Sequence, residues 1–241
     1  MWKGEKVSII LPTYRERDSI GGVIRGLLKL GIVDEIVVVD NNAEEGTLEE
    51  VLRVGPPELV RVVSERRQGY GFSCQKGLRE ASGDYLILME PDGTFLSEDI
   101  FKLLAYSEFD AVFGSRTRIP FIWRGAKMGF LLRTGNWAVA KFIQILFNTP
   151  SITDVGCTLR LIKRPLYEEI RSDFTVGGDH FSPEMMILTF LKKNGFRSVE
   201  IPINFLPRVG ESQGTPNLWR TTTIAVRMIF LALRYRIMTL F

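Results

Sequence analysis

One histidine and two cysteines in 241 residues remove several chemistries before any pattern is read. A lone imidazole, His180, argues against His-rich metal centres and against a Ser-His-Asp triad. Cys74 and Cys157 are too few for a disulfide framework, and no CxxC pair suggests structural zinc. Any metal falls to carboxylates, which favours Mg²⁺ or Mn²⁺. No bilayer-spanning stretch of roughly 18–20 apolar residues follows residue 216. The N-terminal MWKGEKVSII runs straight into a strand-like segment, so no signal peptide is expected. Hydrophobic content of 45% and charged content of 24% exclude disorder and collagen-like repeats. The length suits one large α/β domain or at most two small ones.

Acidic residues are also missing locally. From Ala111 to Thr153 there is no Asp or Glu, but there are Arg116, Arg118, Arg124, Lys127, Arg133 and Lys141. From Ser212 to Phe241 there is again no acid, with Arg220, Arg227, Arg234 and Arg236. The formal charge of +3 is therefore a body at −7 joined to two segments at +10. Such asymmetry points to an anionic partner met by particular segments. Nucleic acid fits poorly, because these segments are strongly apolar rather than interleaved with polar loop residues. Arg220, Arg227 and Arg234 recur every seven residues and form one basic stripe on an otherwise apolar helix. That pattern suits the headgroup level of an anionic membrane.

What is present alternates between two periods. Val7–Leu11, Glu35–Val39, Leu59–Val63, Tyr85–Met89 and Ala111–Gly114 read as buried strands. Asp18–Leu30, Thr47–Val54, Gly71–Ala81 and Glu98–Ala105 read as helices, the last with Ser97 as a candidate cap. Strands with helical crossovers imply a mostly parallel sheet covered on both faces. In the second half, Lys127–Phe147, His180–Lys193 and a final helix from Asn217 to about Met238 are helical in period. Cys157–Ile162 and Ser198–Ile203 are strand-like. Polar residues gather just after strands, at Thr13–Glu16, Asp40–Asn42 and Glu90–Asp92, where open α/β sheets bind ligands.

Glu90-Pro91-Asp92 closes an apolar strand, and two carboxylates one residue apart can reach one hard cation. Such a cation bridges a diphosphate and stabilises a departing nucleotide. Pro12-Thr13-Tyr14-Arg15-Glu16 follows the first strand, Asp40-Asn41-Asn42 the second, and Arg66-Arg67-Gln68-Gly69-Tyr70-Gly71 the third.

This ordered set resembles the family 2 nucleotide-sugar glycosyltransferases of the GT-A fold, over roughly residues 5–116. Thr153–Arg160 (TDVGCTLR), His180–Met185 (HFSPEM), Ile201-Pro202-Ile203 and Arg208–Ser212 (RVGES) extend the likeness to about residue 215. They resemble segments of the dolichol- and polyprenyl-phosphate mannosyl- and glucosyltransferases. Glu90 stands where that family has its first metal-side Asp, Asn41 where it has a second Asp, and Gln213-Gly214 where this branch often has Lys.

The resemblance implies a GT-A, Rossmann-like, mostly parallel sheet over residues 1–216, with helices on both faces. It leaves 217–241 as an amphipathic helix, read here as a membrane-interface element. Pro12, Tyr14, Glu16, Asp40, Asn41, Arg67, Gly71, Glu90, Asp92, Arg208 and Ser212 are the implied donor-binding residues. Asp92 with Glu90 would hold Mg²⁺ or Mn²⁺, and Arg116 and Arg133 would take the acceptor phosphate, which a guanidinium binds bidentately. Asp92, Asp154, Glu184 and Arg116 are the catalytic candidates. A hydroxyl acceptor would require a general base, Asp154 or Glu184. A lipid monophosphate, largely dianionic at neutral pH, needs none.

The expected activity is transfer of a hexose, with inversion, from GDP-mannose or a UDP-sugar to a polyprenyl (dolichyl) phosphate. The enzyme is expected to be cytoplasmic and peripheral on an anionic membrane, with Phe121, Trp123, Phe130, Trp137 and Trp219 toward lipid. A soluble family 2 enzyme acting on a glycan or hydroxyl acceptor, and a non-catalytic partner retaining the fold, are the alternatives.

Overall fold

A computed structural model describes residues 1–175, 177–178, 180–192, 195–210 and 218–239, with side chains of 218–221 left out. Ser212 lies outside the described residues. The β-branched runs form β1 (Val7–Thr13), β2 (Glu35–Asp40), β3 (Val60–Ser64), β4 (Tyr85–Leu88) and β5 (Ala111–Ser115). Between them lie α1 (Arg17–Lys29), α2 (Thr47–Val54), α3 (Tyr70–Glu80) and α4 (Asp99–Ala105). The second half adds α5 (Phe130–Phe147), β6 (Arg160–Lys163), α6 (Arg164–Ile170), α7 (Phe181–Leu191), β7 (Ser198–Pro202) and α8 (Leu218–Met238). Glu98, not Ser97, precedes α4, and no side chain caps that helix.

One seven-stranded sheet has the order β3-β2-β1-β4-β6-β5-β7. Every neighbouring pair is parallel except those of β6, which runs antiparallel to both β4 and β5. Alternation along each strand divides the core into two layers. Ile9, Leu11, Ile36, Val38, Ile87 and Val112 point toward α1, α2 and α4. Ile10, Val37, Val39, Leu86, Leu88 and Phe113 point toward α3, α5, α6, α7 and α8. The expected two-faced sheet is thus present.

Reversal of β6 positions the site. Leu88, at the end of β4, is in register with Arg160, at the start of β6. The segment before β6, Thr153–Leu159, therefore arrives at the same sheet edge as the carboxyl ends of β1, β4 and β5. The C-terminal helix is not a loose appendage: Met228, Leu231, Ala232 and Tyr235 of α8 are buried in the layer formed with α5 and α7. Among the described residues, no helix is long and apolar enough to cross a membrane.

α3 lies so close to the sheet that Gly77 admits no side chain. A methyl there would overlap Ile10 and press on Val39. Gly77→Ala should lower unfolding stability by about 1–3 kcal/mol despite the better helix propensity. Gly22→Ala, on the open side of α1 with nothing near it, should raise stability by up to about 1 kcal/mol. Paired urea denaturations check both; equal effects would contradict this packing.

Candidate active site

A cavity of about 630 Å³ opens at the carboxyl edge of the sheet. Its polar half is lined by Pro12 at the end of β1, Tyr14 and Glu16 just after it, Asn41 after β2, Gly69 and Tyr70 at the start of α3, and Glu90 and Asp92 after β4. Arg116 after β5 and Arg208 after β7 complete this half. Five strand ends thus contribute to one space; three of them, those of β1, β2 and β4, carry the polar clusters seen in the sequence.

Burying three carboxylates in one wall needs a counter-charge, and Arg208 supplies it. Its Nη2 donates to Glu16 Oε1 at 2.8 Å and its Nη1 to Asp92 Oδ2 at 3.0 Å. Glu16 Oε2 also accepts the backbone N–H groups of Tyr14 and Arg15 at 2.6 and 2.8 Å. Burial still raises the Glu16 carboxyl above its ordinary value, because these bonds and Arg208 offset only part of the desolvation. Asp92 Oδ1 accepts from the Thr94 N–H at 3.0 Å and its hydroxyl at 2.6 Å. The Val209 N–H reaches the Asp92 carbonyl at 3.0 Å, docking the segment after β7 onto the same turn.

Glu90 is the carboxyl without an adequate counter-charge. Burial, and then the negative charge of Asp92, push it up to about 8. Two crowded carboxylates of which one resists ionisation form a donor set that a divalent cation would satisfy. Among the described residues no three His, Cys, Asp or Glu side chains are placed to close a metal site. Glu90 and Asp92 would be the protein's share of such a site, with further positions left to phosphate oxygens and water, as Mg²⁺ commonly binds.

Asn41 has a role that aspartate could not fill. Its Nδ2 donates to the carbonyls of Glu65 and Arg67 at 2.7 and 2.8 Å, and its Oδ1 accepts the Gly69 N–H at 2.9 Å. A carboxylate would face two carbonyl oxygens without a proton to offer. Asn41 therefore shapes the turn between β3 and α3 while lining the cavity.

The remaining donor candidates divide by position. Asp40 is half-buried at the end of β2, accepts the Ala43 N–H at 2.9 Å, and is not in the cavity wall. Arg67 is paired with Glu65 at 2.9 Å and stacked on Phe72, also outside the wall. Gly71 is buried in the first turn of α3, next to the lining residue Tyr70.

Arg116 is fixed in place by a buried pair. Its Nε and backbone N–H donate to Asp154 Oδ2 at 2.9 and 3.0 Å, and its Nη2 donates to Oδ1 at 3.0 Å. The guanidinium also lies over the Phe205 ring. Burial alone would raise the Asp154 carboxyl; the Arg116 charge and hydrogen bonds outweigh it and hold the group below its ordinary value. Both Asp154 oxygens are engaged, so this carboxylate orients Arg116 toward the cavity. Glu200 on β7 in turn accepts the backbone N–H groups of Thr153 and Asp154 at 2.8 and 2.9 Å. Nothing in the sequence marked Glu200.

Arg160, quoted within the TDVGCTLR segment, is wholly buried and donates only to carbonyls, those of Cys157 (2.6 Å), Val155 (2.9 Å) and Ser182. It laces that segment to the start of α7. Arg133, on α5, is half-buried and outside the cavity wall. Glu184 is fully buried on α7 and also outside the wall. Cys74 and Cys157 are buried free thiols, as their scarcity suggested.

The other half of the cavity was not anticipated. Leu132, Gly135, Asn136 and Val139 of α5, at i, i+3, i+4 and i+7, form one helical stripe along it. Ile224, Ala225 and Met228 of α8 face it too. This half is almost wholly apolar and contiguous with the arginines and carboxylates. Glycine and asparagine in an otherwise bulky helix were the one available signal.

Asp154→Asn leaves the buried Arg116 cation without a carboxylate and should cost about 3–5 kcal/mol at pH 7. Because the Asp154 carboxyl is held low, its contribution is complete above its unfolded value near pH 4 and is lost as pH falls through the folded value. Denaturant titrations of wild type and variant should therefore converge on acidification. A gap independent of pH would contradict an ionised pair.

Residues 8–171 match the family described as glycosyl transferase family 2. A "dolichyl-phosphate hexose transferase" of Haloferax volcanii is 25% identical over 215 residues, spanning 88% of this chain and 88% of the relative. The "low-salt glycan biosynthesis hexosyltransferase Agl6" of the same organism is 26% identical over 89% of this chain, which spans only 51% of that protein. Crystallised glucosyl-3-phosphoglycerate synthase from Mycobacterium tuberculosis, bound to Mn²⁺, UDP and phosphoglyceric acid, superimposes with a TM-score of 0.73. It does so over 97% of this chain and 78% of its own at 18% identity, a likeness of fold. With the strand-end constellation and a family match over most of its length, the chain belongs to glycosyl transferase family 2 and is a glycosyltransferase of the GT-A fold.

Proposed function

We propose that this enzyme transfers a hexosyl group, with inversion, from a nucleoside-diphosphate sugar to a polyprenyl phosphate presented at a membrane surface. The observation that carries the reading is the two-part cavity, with carboxylates and arginines at one end and the α5–α8 walls at the other. A lipid phosphate has the matching division: a dianionic head for Arg116 and an apolar chain for Leu132, Val139, Ile224 and Met228. The Haloferax relative of similar length bears a name of this kind.

The outer faces of α5 and α8 support the same reading. Phe130 and Ile145 on α5 are 75% and 80% exposed. On α8, Val226, Phe230, Leu233 and Ile237 recur at i, i+4, i+7 and i+11 as an exposed apolar stripe, flanked by exposed Arg227 and Arg234. Ile119 and Trp123 add exposed apolar surface before α5. Apolar stripes beside arginines, with no acid on either helix, suit the interface of an anionic bilayer. In this reading residues 1–216 form the catalytic unit, and 217–241 serve both as a cavity wall and as a membrane contact.

The roles follow from chemistry. Pro12, Tyr14, Glu16 and Asn41 enclose the nucleoside end of the donor. Glu90 and Asp92 would hold a divalent cation, Mg²⁺ or Mn²⁺, which would supply positive charge for the departing nucleoside diphosphate. Arg208 moves its charge from the carboxylates toward the diphosphate, and Arg116, locked by Asp154, orients the acceptor phosphate. The phosphate oxygen attacks the anomeric carbon as the bond to the diphosphate breaks. Because the attacking oxygen is already anionic, no side chain removes a proton.

Labelled nucleotide sugars, Mn²⁺ or Mg²⁺, and anionic vesicles holding polyprenyl phosphate test this directly. Label should pass into the organic-extractable lipid only with a divalent cation, and Asp92→Ala should lower the rate by at least about a hundredfold. Transfer confined to water-soluble glycan or hydroxyl acceptors would overturn the lipid reading; transfer unaffected by Asp92→Ala would overturn the site.

A further inference from the structure

Glu184 is a buried carboxylate for which the transfer mechanism above has no use. Its Oε1 accepts the Tyr235 hydroxyl at 2.7 Å, the Thr175 N–H at 2.8 Å and the Thr175 hydroxyl at 2.7 Å. The Tyr235 oxygen also stands 2.9 Å from the carbonyl of Asp173. α7, the stretch just before it, and the distant α8 therefore meet at one carboxylate oxygen. Nothing in the family resemblance, the comparisons or the cavity lining assigns Tyr235 a role.

Helical geometry separates Glu184 from the reacting groups. Ser182, two residues earlier on α7, lines the cavity, and two residues turn a helix by about 200°. Glu184 accordingly faces the opposite way, into the layer that holds α8. On α8, Tyr235 lies seven residues beyond the lining residue Met228. They share one helical face about 10 Å apart along the axis. Leu231 and Ala232 pack into the core between them. The bond to Glu184 thus fixes the inner face of α8 two turns from the point where that face becomes the cavity wall.

We propose that Glu184 is a positioning residue, acting through the Tyr235 hydroxyl to hold α8 as the inner wall of the acceptor half of the cavity. α8 meets the body through apolar side chains such as Met228, Leu231 and Ala232, which resist sliding weakly because apolar contact has no preferred direction. A hydrogen bond from a buried phenol to a buried carboxylate has one geometry, and it sets both rotation and register. As an acceptor-site wall this assignment rests on the lipid-phosphate reading; as an anchor for α8 it does not.

Amide hydrogen exchange and steady-state kinetics on Tyr235→Phe, Glu184→Gln and the double variant separate the two levels. Exchange of residues 222–239 should quicken tenfold or more in each, with β1, β2 and β4 unchanged, and the double variant should be no faster than either single one. KM for vesicle-borne polyprenyl phosphate should rise three- to tenfold in all three, and the pH profile of kcat should keep its wild-type shape. Unchanged α8 exchange in both single variants would overturn the proposal. So would a hundredfold fall in kcat on Glu184→Gln with loss of the acid limb while Tyr235→Phe behaves as wild type, since that is the signature of a general base. If wild type transfers to no polyprenyl phosphate, the lipid reading falls and the exchange result alone decides whether Glu184 anchors α8.

Discussion

Charge compensation at one sheet edge governs this molecule. Glu16, Glu90, Asp92 and Asp154 are brought to the carboxyl ends of β1, β4 and β5, where buried negative charge calls for a counter-charge. Two arginines divide the compensation. Arg116 is committed to Asp154 by a bidentate pair reinforced from the backbone and from the Phe205 ring. Arg208 bridges Glu16 and Asp92 from a segment that follows β7, outside the helices and strands. Glu90 is left under-compensated, its carboxyl pushed up to about 8. A cation committed to one carboxylate, a second shared between two, and an under-compensated carboxyl define a place where added positive charge is favoured.

The second constraint is the placement of the two acid-free stretches. They lie about sixty residues apart in sequence, yet α5 and α8 pack side by side on one face of the sheet. Their inner surfaces complete the cavity, and their outer surfaces expose apolar side chains beside arginines. A chain-wide charge of +3 conceals this arrangement; segment by segment, it is an acidic body carrying a basic, apolar flank.

Much of the first half was legible because its signals are local. Strand runs ending in polar clusters located β1, β2 and β4 and the edge at which Tyr14, Glu16, Asn41, Glu90 and Asp92 converge. The antiparallel course of β6 left no local mark, since the run Arg160–Lys163 has the same alternation in either direction. α6 begins at the residue after β6 ends, so no turn signal set it apart from the strand. Asn41 read only as a departure from a family pattern, because the carbonyls it binds belong to a turn 24 and 26 residues away. Glu200 and Tyr235 act through backbone groups and a buried carboxylate, partners that only the folded chain supplies. Arg67, Asp40 and Glu184 show the converse: motif position named them, and none of them lines the cavity; nor does Arg133, named from the acid-free stretch.

In the proposed reading, donor and acceptor ends share one cavity, walled on the acceptor side by α5 and α8. Gly135 is the position from which to test it. It lines the cavity in mid-helix with open space where a side chain would project. Transfer rates of Gly135→Leu should be measured with polyprenyl phosphates of increasing chain length, alongside nucleotide-sugar affinity by calorimetry. The account predicts donor affinity within about twofold of wild type, since α5 does not touch the nucleoside end, and a steep loss of transfer to long-chain acceptors. Long-chain transfer at the wild-type rate, with the added side chain in place, would contradict it.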